Sequence, residues 1–484
     1  MNPLRLLRVP AVALVLIAIL AGGLRLYHLG HPSERVFDEV YYSKDGCLYA
    51  GLSRLDCDLT SSGERYWFAH EGETSWVHPP LGKWMIAAGI AVFGNDPFGW
   101  RIAAAIFGTA TVVILAGIAY LLTRSVLWAY VAGLLLATEN LNFVQSRMSM
   151  LDIFLAFWVV LGFLFLLLDR RSMELRAPPR VALSPGPGAM ALERRLSSTV
   201  PVQAGVVAAP ILRPWRLAAG VAFGAAFATK WSGVYAIAGA VVLAVAWEIS
   251  RRRQSGVPHA VWRTIQQEAF GLVLAFLVLP VAVYLASHIG FFLDRGFDLG
   301  AFWERQRAGF DFHNGLMAVN DQGDKTHPYE STPWSWILML RPVSYYFQSP
   351  GAEVLGMGNP LIVWSGLATI PYLAYAWGKR RDWRAGLILV AILAQYLVWF
   401  PFWNRVQFFF YMTPITPFLV LAAVYALKDL TEYRGSRENY PLVPLATGLV
   451  ALSVAFFAFF YPVLTGWHLS YDAWHARMWM KGWI

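Results

Sequence analysis

Apolar stretches of about 20 residues recur from end to end along this 484-residue chain. We count about eleven that reach the 17 to 25 residues an α-helix needs to cross a bilayer; they lie at 8–27, 99–122, 126–144, 149–168, 212–229, 231–249, 268–288, 361–378, 385–402, 406–427 and 441–463. Only 14% of the residues are charged and 57% are hydrophobic, whereas soluble domains carry nearly twice that share of charge. The sequence therefore predicts an all-α polytopic membrane protein.

Arginine and lysine residues are concentrated in every second connection between these segments. Short basic loops of membrane proteins stay in the cytoplasm, and the residues concerned are Arg5, Arg8, Arg124, Arg170, Arg171, Arg176, Arg180, Arg194, Arg195, Arg251, Arg252, Arg253, Lys379, Arg380, Arg381, Lys428, Arg434 and Arg437. With an odd number of helices, this pattern predicts a cytoplasmic N-terminus and an outside C-terminus. The net charge of +9 follows from these loops and from attraction to membrane lipids, so we expect no nucleic-acid partner.

Three connections are longer than the rest. Those at 28–97 and 290–360 fall outside, and we interpret them as the working parts of a single membrane-embedded domain, 1–484. The cytoplasmic connection 169–211 is rich in Pro, Gly, Ala and Ser and is predicted to be a disordered linker. Within the first outside loop, the apolar run 81–94 is too short to span a bilayer, which is typical of a helix lying in the membrane interface.

An acidic pair, Asp38 and Glu39, follows directly on the first apolar segment. Ionisable residues beside lipid are costly to place and usually mark a functional site, although an acid that caps a helix in a wet loop is the plainer interpretation. The same outside loop carries His78, a residue type that orients phosphates or acids. It also carries Lys83, for which a side chain reaching out to the headgroups is the plainer interpretation.

The chain has two cysteines, Cys47 and Cys57, and the predicted topology puts both in the first outside loop. An even pair in an oxidising compartment suggests one disulfide closing a small loop. Two unrelated reduced thiols are the alternative, because spacing alone does not guarantee the geometry of a disulfide. No metal-ligand spacing is present, so we predict no metal site.

Further charged residues fall at the outside ends of the predicted helices: Arg101, Glu139, Arg147, Asp152, Lys230, Arg341 and Arg405. We interpret Arg101 and Glu139 as structural, and Arg147, Asp152, Lys230 and Arg405 as functional. Together the charged residues predict a polar cavity that opens to the outside and is lined by carboxylates and cations. Such a cavity suits a reaction between a membrane-embedded phospholipid-type donor and an acceptor on the outside.

At this point the runs 37–42 (FDEVYY), 78–83 (HPPLGK) and 228–233 (ATKWSG) can be taken together. With Trp100-Arg101, with Ser146-Arg147 followed by Leu151-Asp152, and with Arg405 before the aromatic run 408–411, they resemble the polyprenyl-phosphate-mannose:protein O-mannosyltransferases of the membrane glycosyltransferase C superfamily. The resemblance spans nearly the whole chain. Eukaryotic members carry a β-trefoil domain in the long outside loop, and 290–360 is too short for one, which favours a bacterial, actinobacterial-type enzyme.

The resemblance implies inverting transfer of mannose from polyprenyl-phosphate-mannose to Ser or Thr hydroxyls of unfolded secretory proteins, with no cofactor. An inverting displacement needs one base, while the departing lipid phosphate needs cations more than an acid. We therefore assign Asp38 as the base and Glu39 as a positioning residue for the acceptor or the sugar. Lys230 and Arg405 are assigned to the lipid phosphate, Arg147 and Asp152 to holding the first outside loop, and His78 and Lys83 to the region of the donor headgroup.

Two other functions stay open at the level of the sequence. A relative that moves another sugar, such as aminoarabinose or arabinose, to a lipid or glycan would share the same carboxylate and cations. A polytopic transporter or flippase would line a path with charges, but here few charges fall at mid-membrane. Work beside the secretion channel is a further partnership that the sequence leaves open. The polar residues of 290–360, namely Asp311, His313, Asp324, His327 and Tyr329, are expected to form a solvated loop.

Overall fold

A computed structural model describes residues 9–59, 77–176, 213–319, 325–349, 351–432 and 442–484. The first half of the described chain contains helices α1 (Pro10–Leu26), α2 (Glu39–Tyr49), α3 (Leu81–Phe93), α4 (Pro97–Thr123), α5 (Val126–Ala137), α6 (Asn140–Gln145), α7 (Leu151–Arg176), α8 (Pro214–Thr229) and α9 (Gly233–Gln254). The second half contains α10 (Ala260–Val273), α11 (Leu279–Ser287), α12 (Ile289–Asp294), α13 (Leu299–Gly315), α14 (Pro333–Trp336), β1 (Val343–Gln348), β2 (Ala352–Gly356), α15 (Pro360–Gly378), α16 (Trp383–Tyr396), α17 (Thr416–Glu432), α18 (Leu442–Thr465) and α19 (Tyr471–His475).

Within these described ranges, seven helical segments are long and apolar enough to cross a membrane. They are α4, α7, α9, the continuous pair α10–α11, α15, α16 with the 3₁₀ turn that extends it to Phe402, and α18. The protein is therefore a multi-pass membrane protein, and its helical class is confirmed. The predicted segments 8–27, 126–144, 212–229 and 406–427 correspond to shorter helices, so the count of about eleven spans stays a prediction.

The predicted segment 126–144 is not one helix but two. Helix α5 ends at Ala137, and the Glu139 side chain caps the next helix by accepting a hydrogen bond from the Asn142 backbone N–H at 2.7 Å. The composition changes at this break, because α5 is almost entirely apolar whereas α6 contains Asn140, Asn142 and Gln145. Glu139 also accepts from the Asn359 N–H at 2.9 Å, so its carboxylate is structural, as expected from the sequence.

The predicted outside segment 290–360 contains helices and a hairpin where the structure describes it, and the hairpin is a departure from an all-α chain. Strands β1 and β2 pair antiparallel, with Val343 opposite Gly356 and Gln348 opposite Ala352. Every residue of β2 is buried, so the hairpin is part of the packed structure. The expectation of a plain solvated loop at 290–360 is wrong for this part.

Helix α7 extends to Arg176, eight residues beyond the predicted end of its span at 168. A cluster of buried ion pairs accounts for the extension: Asp169 receives two hydrogen bonds from Arg213, at 2.8 and 2.6 Å, and Arg213 also binds Glu248 at 2.6 Å. The first eight residues of the predicted linker 169–211 are therefore helical, and its remainder, 177–211, lies outside the described residues.

The two ends of α7 carry different chemistry. Asp152 and Asp169 are 17 residues apart, which is ~26 Å along an α-helix. Asp169 belongs to the basic end, with Arg213 and Arg216, whereas Asp152 lies at the other end beside Lys230. The helix bundle thus separates a structural ion cluster from a second polar region, which holds the predicted site residues.

Arg101 in α4 fixes the course of the chain that follows α1, which the sequence predicts to be the first outside loop. Its guanidinium makes two hydrogen bonds to the Glu39 carboxylate, at 2.9 and 2.8 Å, and donates to the backbone carbonyls of Leu29, Pro32 and Glu34. Both charged side chains are fully buried. Because removing one partner of such a pair leaves a buried charge uncompensated, this contact is a strong determinant of the local fold.

Replacing Arg101 by Met should lower the free energy of unfolding by about 3–5 kcal/mol, because Glu39 would stay buried without its cation. Tryptophan fluorescence of detergent-solubilised protein during denaturant unfolding measures the change. Glu432→Gln is the matched control: it breaks the exposed Lys428–Glu432 pair and should change stability by less than about 1 kcal/mol. Equal stability of Arg101→Met and the unmodified chain would contradict this role.

Candidate active site

A cavity of about 1020 Å³ lies at the end of the bundle opposite the Asp169 cluster. It is bordered by the start of α2, by the Lys230 turn between α8 and α9, by the C-terminal end of α13 and by the segment 402–411. Four of the predicted site residues line it: Asp38, His78, Lys230 and Arg405. The structure therefore brings a carboxylate, an imidazole and two cations from four separate parts of the chain into one space.

The backbone turn at Phe37 directs Asp38 into the cavity. Phe37 has a positive φ of 48°, a conformation that is uncommon for a residue with a large side chain. Its ring packs against Tyr345 and Phe410, with centroid distances of 5.1 and 5.8 Å. Asp38 occupies the N-cap position of α2, but its side chain makes no capping hydrogen bond. The plainer interpretation of Asp38 as a helix cap is therefore not supported.

The surroundings of Asp38 favour a carboxyl group that accepts protons more readily than usual. Burial raises the pKa of Asp38 to about 6, and nearby Asp152 adds to the rise, while Lys230 and the Tyr42 hydroxyl oppose it. The Tyr42 hydroxyl donates to Asp38 Oδ2 at 3.4 Å. A carboxylate with a pKa close to the working pH has the character of a general base.

Lys230 lies where α8 ends, and its ammonium group is held by Asp152. The Nζ atom donates to both carboxylate oxygens, at 2.9 and 3.0 Å, and lies 4.9 Å from the centre of the Tyr411 ring. The chain turns sharply after Lys230, and Gly233 permits this because a Cβ there would lie 2.5 Å from the Ala226 carbonyl carbon. Any larger residue at position 233 would therefore clash with the end of α8.

Arg405 follows a 3₁₀ turn and lines the same cavity. Its Nη2 atom donates to the Nδ1 atom of His313 at 3.0 Å. Its Nε atom is buried and has no hydrogen-bond partner among the described residues. Arg405 lines the cavity and uses one of its five N–H donors for His313, so its guanidinium is suited to bind an anionic group.

His78 lines the same cavity and packs against two other rings. Its ring centroid lies 5.0 Å from that of His313 and 5.9 Å from that of Tyr42. Burial and the surrounding cationic residues hold the pKa of His78 well below its usual value. The imidazole is therefore neutral at neutral pH, which makes it a hydrogen-bonding group and not a fixed charge.

The structure corrects the assignment of Glu39. Both carboxylate oxygens are fully buried and engaged with Arg101, and Oε1 also accepts from the Ser149 N–H at 2.8 Å. Glu39 does not line the cavity, so it does not position an acceptor or a sugar directly. It anchors α2 to α4 and to the loop before α7, and that anchoring sets the position of Asp38.

Lys83 is corrected in the same way. Its Nζ atom forms an ion pair with Asp45 Oδ2 at 2.8 Å, and both side chains are fully buried. This pair joins α3 to α2, so Lys83 contacts neither lipid headgroups nor the cavity. Close packing requires glycine at the neighbouring position 82, because a Cβ there would lie 2.8 Å from the Leu151 side chain.

Arg147 follows α6 and does not line the cavity; its side chain lies against the C-terminal end of α1. Its guanidinium donates to the carbonyls of Arg25, Tyr27 and His28, at 2.9, 2.6 and 2.9 Å. These contacts tie down the chain where it leaves α1, in agreement with the predicted role of Arg147 in holding this loop. Asp152, given the same task, instead pairs with Lys230.

A covalent bond closes a small loop between α2 and the turn after it. The sulfur atoms of Cys47 and Cys57 lie 2.03 Å apart, in a disulfide with a Cα–Cα distance of 5.7 Å. The bond links the C-terminal half of α2 to the turn that follows it. In the described part of the chain, no group of three His, Cys, Asp or Glu side chains is arranged to hold a metal ion.

Several cavity residues were not assigned to the site from the sequence. Tyr42 was available as a signal, because it lies one helical turn after Asp38 on the same face of α2. His313 and His327 line the cavity, so the expectation of a solvated loop is wrong for them. Asp311 is exposed, as expected, and Asp324 lies outside the described residues.

Comparison with known proteins gives consistent similarities over the whole chain. Residues 15–179 match the family described as dolichyl-phosphate-mannose-protein mannosyltransferase, and residues 299–483 match the C-terminal four-transmembrane region of protein O-mannosyltransferases. A polyprenol-phosphate-mannose–protein mannosyltransferase of Mycobacterium tuberculosis is 32% identical, over 97% of this chain and 91% of the relative. The protein of the same name from Mycolicibacterium smegmatis is also 32% identical, over 97% of this chain and 92% of the relative.

A solved structure has the same fold. The Saccharomyces cerevisiae protein O-mannosyltransferase Pmt1–Pmt2 complex bound to the sugar donor superposes with a TM-score of 0.72. The match covers 98% of this chain and 92% of the yeast chain, at 14% identity. At that identity the likeness concerns the arrangement of the helices.

Proposed function

This chain belongs to the protein O-mannosyltransferase family of membrane glycosyltransferases, and from this premise we propose that it transfers mannose from polyprenol-phosphate-mannose to Ser or Thr hydroxyls of secretory proteins. The observation that supports the proposal is the shared cavity, in which Asp38 faces the same space as Lys230 and Arg405. A base and two cations are what the reaction requires of the protein. The donor is a substrate, and the proposal includes no cofactor.

Asp38 acts as the general base. Its carboxylate takes the proton of the acceptor hydroxyl as the hydroxyl oxygen attacks the anomeric carbon of mannose. The bond from that carbon to the phosphate oxygen breaks on the opposite face, so the sugar carbon is inverted and polyprenyl phosphate leaves. Tyr42 steadies the carboxylate through its hydrogen bond. The raised pKa of Asp38 suits the acceptance of a proton near neutral pH.

Lys230 and Arg405 stabilise the departing phosphate. Its negative charge increases as the sugar leaves, so fixed cations nearby favour the transition state over the ground state. Asp152 keeps Lys230 oriented, and Arg405 offers the planar fork that matches phosphate oxygens. The apolar part of the cavity wall, with Phe227, Trp399 and Phe402, is suited to the start of a prenyl chain.

The site faces the outside of the cell membrane. This orientation is supported by the separation of the cavity from the basic ends of the helices, since basic loops stay in the cytoplasm. Arg251, Arg252 and Arg253 end α9, whereas Lys230 lies just before its start. Acceptors therefore reach the site as they emerge on the outside, where unfolded segments still expose their hydroxyls.

Asp38→Asn should reduce mannosyl transfer to a Ser/Thr peptide by about 100-fold or more, because the amide cannot accept the hydroxyl proton. The rate of transfer of radiolabelled mannose from synthetic polyprenyl-phosphate-mannose to the peptide measures this loss. Asp294→Asn, which changes a carboxylate that is 73% exposed, is the matched control and should retain full activity. Near-normal transfer by Asp38→Asn would reject the base assignment.

Activity should fall as the pH drops through about 6, because the Asp38 pKa is raised to about 6 and the base works only when deprotonated. Below that point kcat/KM should decrease about tenfold per pH unit. An ordinary aspartate would move the loss down to about pH 4. The thermal midpoint over the same pH range controls for unfolding, and a rate that stays constant down to pH 5 would contradict the assignment.

Arg405→Leu should weaken donor binding by roughly ten- to 100-fold, since a hydrogen bond to a charged group contributes about 1.5–3 kcal/mol. The KM for the donor measures this, with the acceptor peptide saturating. Arg307→Leu serves as the control, because Arg307 is an exposed residue on α13. An unchanged donor KM in Arg405→Leu would remove Arg405 from the phosphate site.

A further inference from the structure

His313 joins three segments of the chain at the cavity wall. It lies near the C-terminal end of α13, and its Nε2 atom is 3.0 Å from the backbone carbonyl of Val77 in the first outside loop. Its Nδ1 atom is 3.0 Å from Nη2 of Arg405. The ring also lies edge-on to Trp231 at 5.9 Å, beside the Lys230 turn.

These two hydrogen bonds determine which nitrogen carries the proton. A backbone carbonyl only accepts, so Nε2 must donate its hydrogen to Val77, and a guanidinium only donates, so Nδ1 must accept from Arg405. His313 is therefore a neutral imidazole with one defined tautomer. Burial and the neighbouring Arg405 charge lower the pKa of His313 to about 4, in agreement with this protonation state.

The contact with His313 occupies one side of the Arg405 guanidinium and leaves other donors for a ligand. Arg405 lines the cavity with His313 and His78, and its guanidinium carries five N–H donors, of which His313 takes one. A long arginine side chain has many rotamers, and binding an anion requires one of them to be selected. A neutral hydrogen-bond acceptor can hold Arg405 in one rotamer without neutralising the charge of its guanidinium. A carboxylate in the same place would compete with the incoming anion.

We propose that His313 is a positioning residue that holds the Arg405 guanidinium in the orientation that receives the phosphate of the lipid-linked donor. This inference rests on the role proposed above for Arg405. Its consequence is that the second outside segment takes part in donor recognition through α13. The hydrogen bond to Val77 in turn orients the His313 ring, and Val77 directly precedes His78, so both outside loops meet at the phosphate position.

Two amide variants separate the two hydrogen bonds of His313. The side-chain oxygen of Asn reaches the position of Nδ1, so His313→Asn keeps an acceptor for Arg405 and loses the bond to Val77. The side-chain nitrogen of Gln reaches the position of Nε2, so His313→Gln keeps the bond to Val77 and loses the acceptor. We expect the donor KM of His313→Gln to rise roughly tenfold, with kcat changed much less, and that of His313→Asn to stay within about twofold of the original.

Other outcomes would overturn the proposal. A raised donor KM in His313→Asn with a normal value in His313→Gln would mean that His313 only anchors the first outside loop. Equal effects of both variants, or a loss of kcat alone, would remove it from donor binding. If either amide variant does not fold, as judged by its thermal unfolding midpoint, His313→Leu takes its place: a donor KM that does not rise overturns the proposal.

A double-mutant cycle distinguishes this inference from the assignment of Arg405 itself. In an Arg405→Leu background, His313→Gln should have no further effect on the donor KM, because its contribution passes through Arg405. Additive effects of the two changes would overturn the positioning role while leaving the function intact. An unchanged donor KM in Arg405→Leu alone, or no transfer by the unmodified protein, would instead refute the proposed function.

Discussion

The buried pair formed by Arg101 and Glu39 is the contact on which the arrangement of the site depends. Neither side chain reaches the cavity, yet together they fix the loop after α1, the start of α2 and the segment before α7. A buried ion pair is weak evidence for stability by itself, because the loss of hydration offsets much of the attraction. Its value here is geometric, since the bidentate contact and the three carbonyl contacts allow only one course for the loop.

The cavity follows from that scaffold. Once α2 is anchored, the turn at Phe37 places the next carboxylate at the wall, and the cations arrive from elements that are distant in the sequence. Lys230 is carried by a turn that only glycine at position 233 permits, and Arg405 is oriented by His313. The proposed base and the proposed phosphate-binding cations are thus held by independent parts of the fold, so changes in donor binding and in proton transfer should be separable.

The sequence predicted much of the helical architecture, because a bilayer requires long apolar segments and these are visible without a structure. The extension of α7 to Arg176 was not predictable, since it depends on the contact of Asp169 with Arg213, which lies elsewhere in the chain. The break at Glu139 was missed, because a long apolar window averages over the polar residues near the cap. Asp38, His78, Lys230 and Arg405 were correctly placed together. Glu39 and Lys83 were not distinguished from them, because a charged residue does not reveal its partner: Arg101 lies 62 residues away from Glu39.

Neighbouring residues on a helix point about 100° apart, and the acidic dipeptide at the start of α2 makes use of this. The first carboxylate faces the cavity, and the second is directed into the packed interior between α2 and α4. The order of the two residues therefore carries the information: a chain with Glu at 38 and Asp at 39 would have the same charge and nearly the same composition, but side chains of the wrong length on both sides. Alignments that score the two positions as interchangeable acids would overlook this asymmetry.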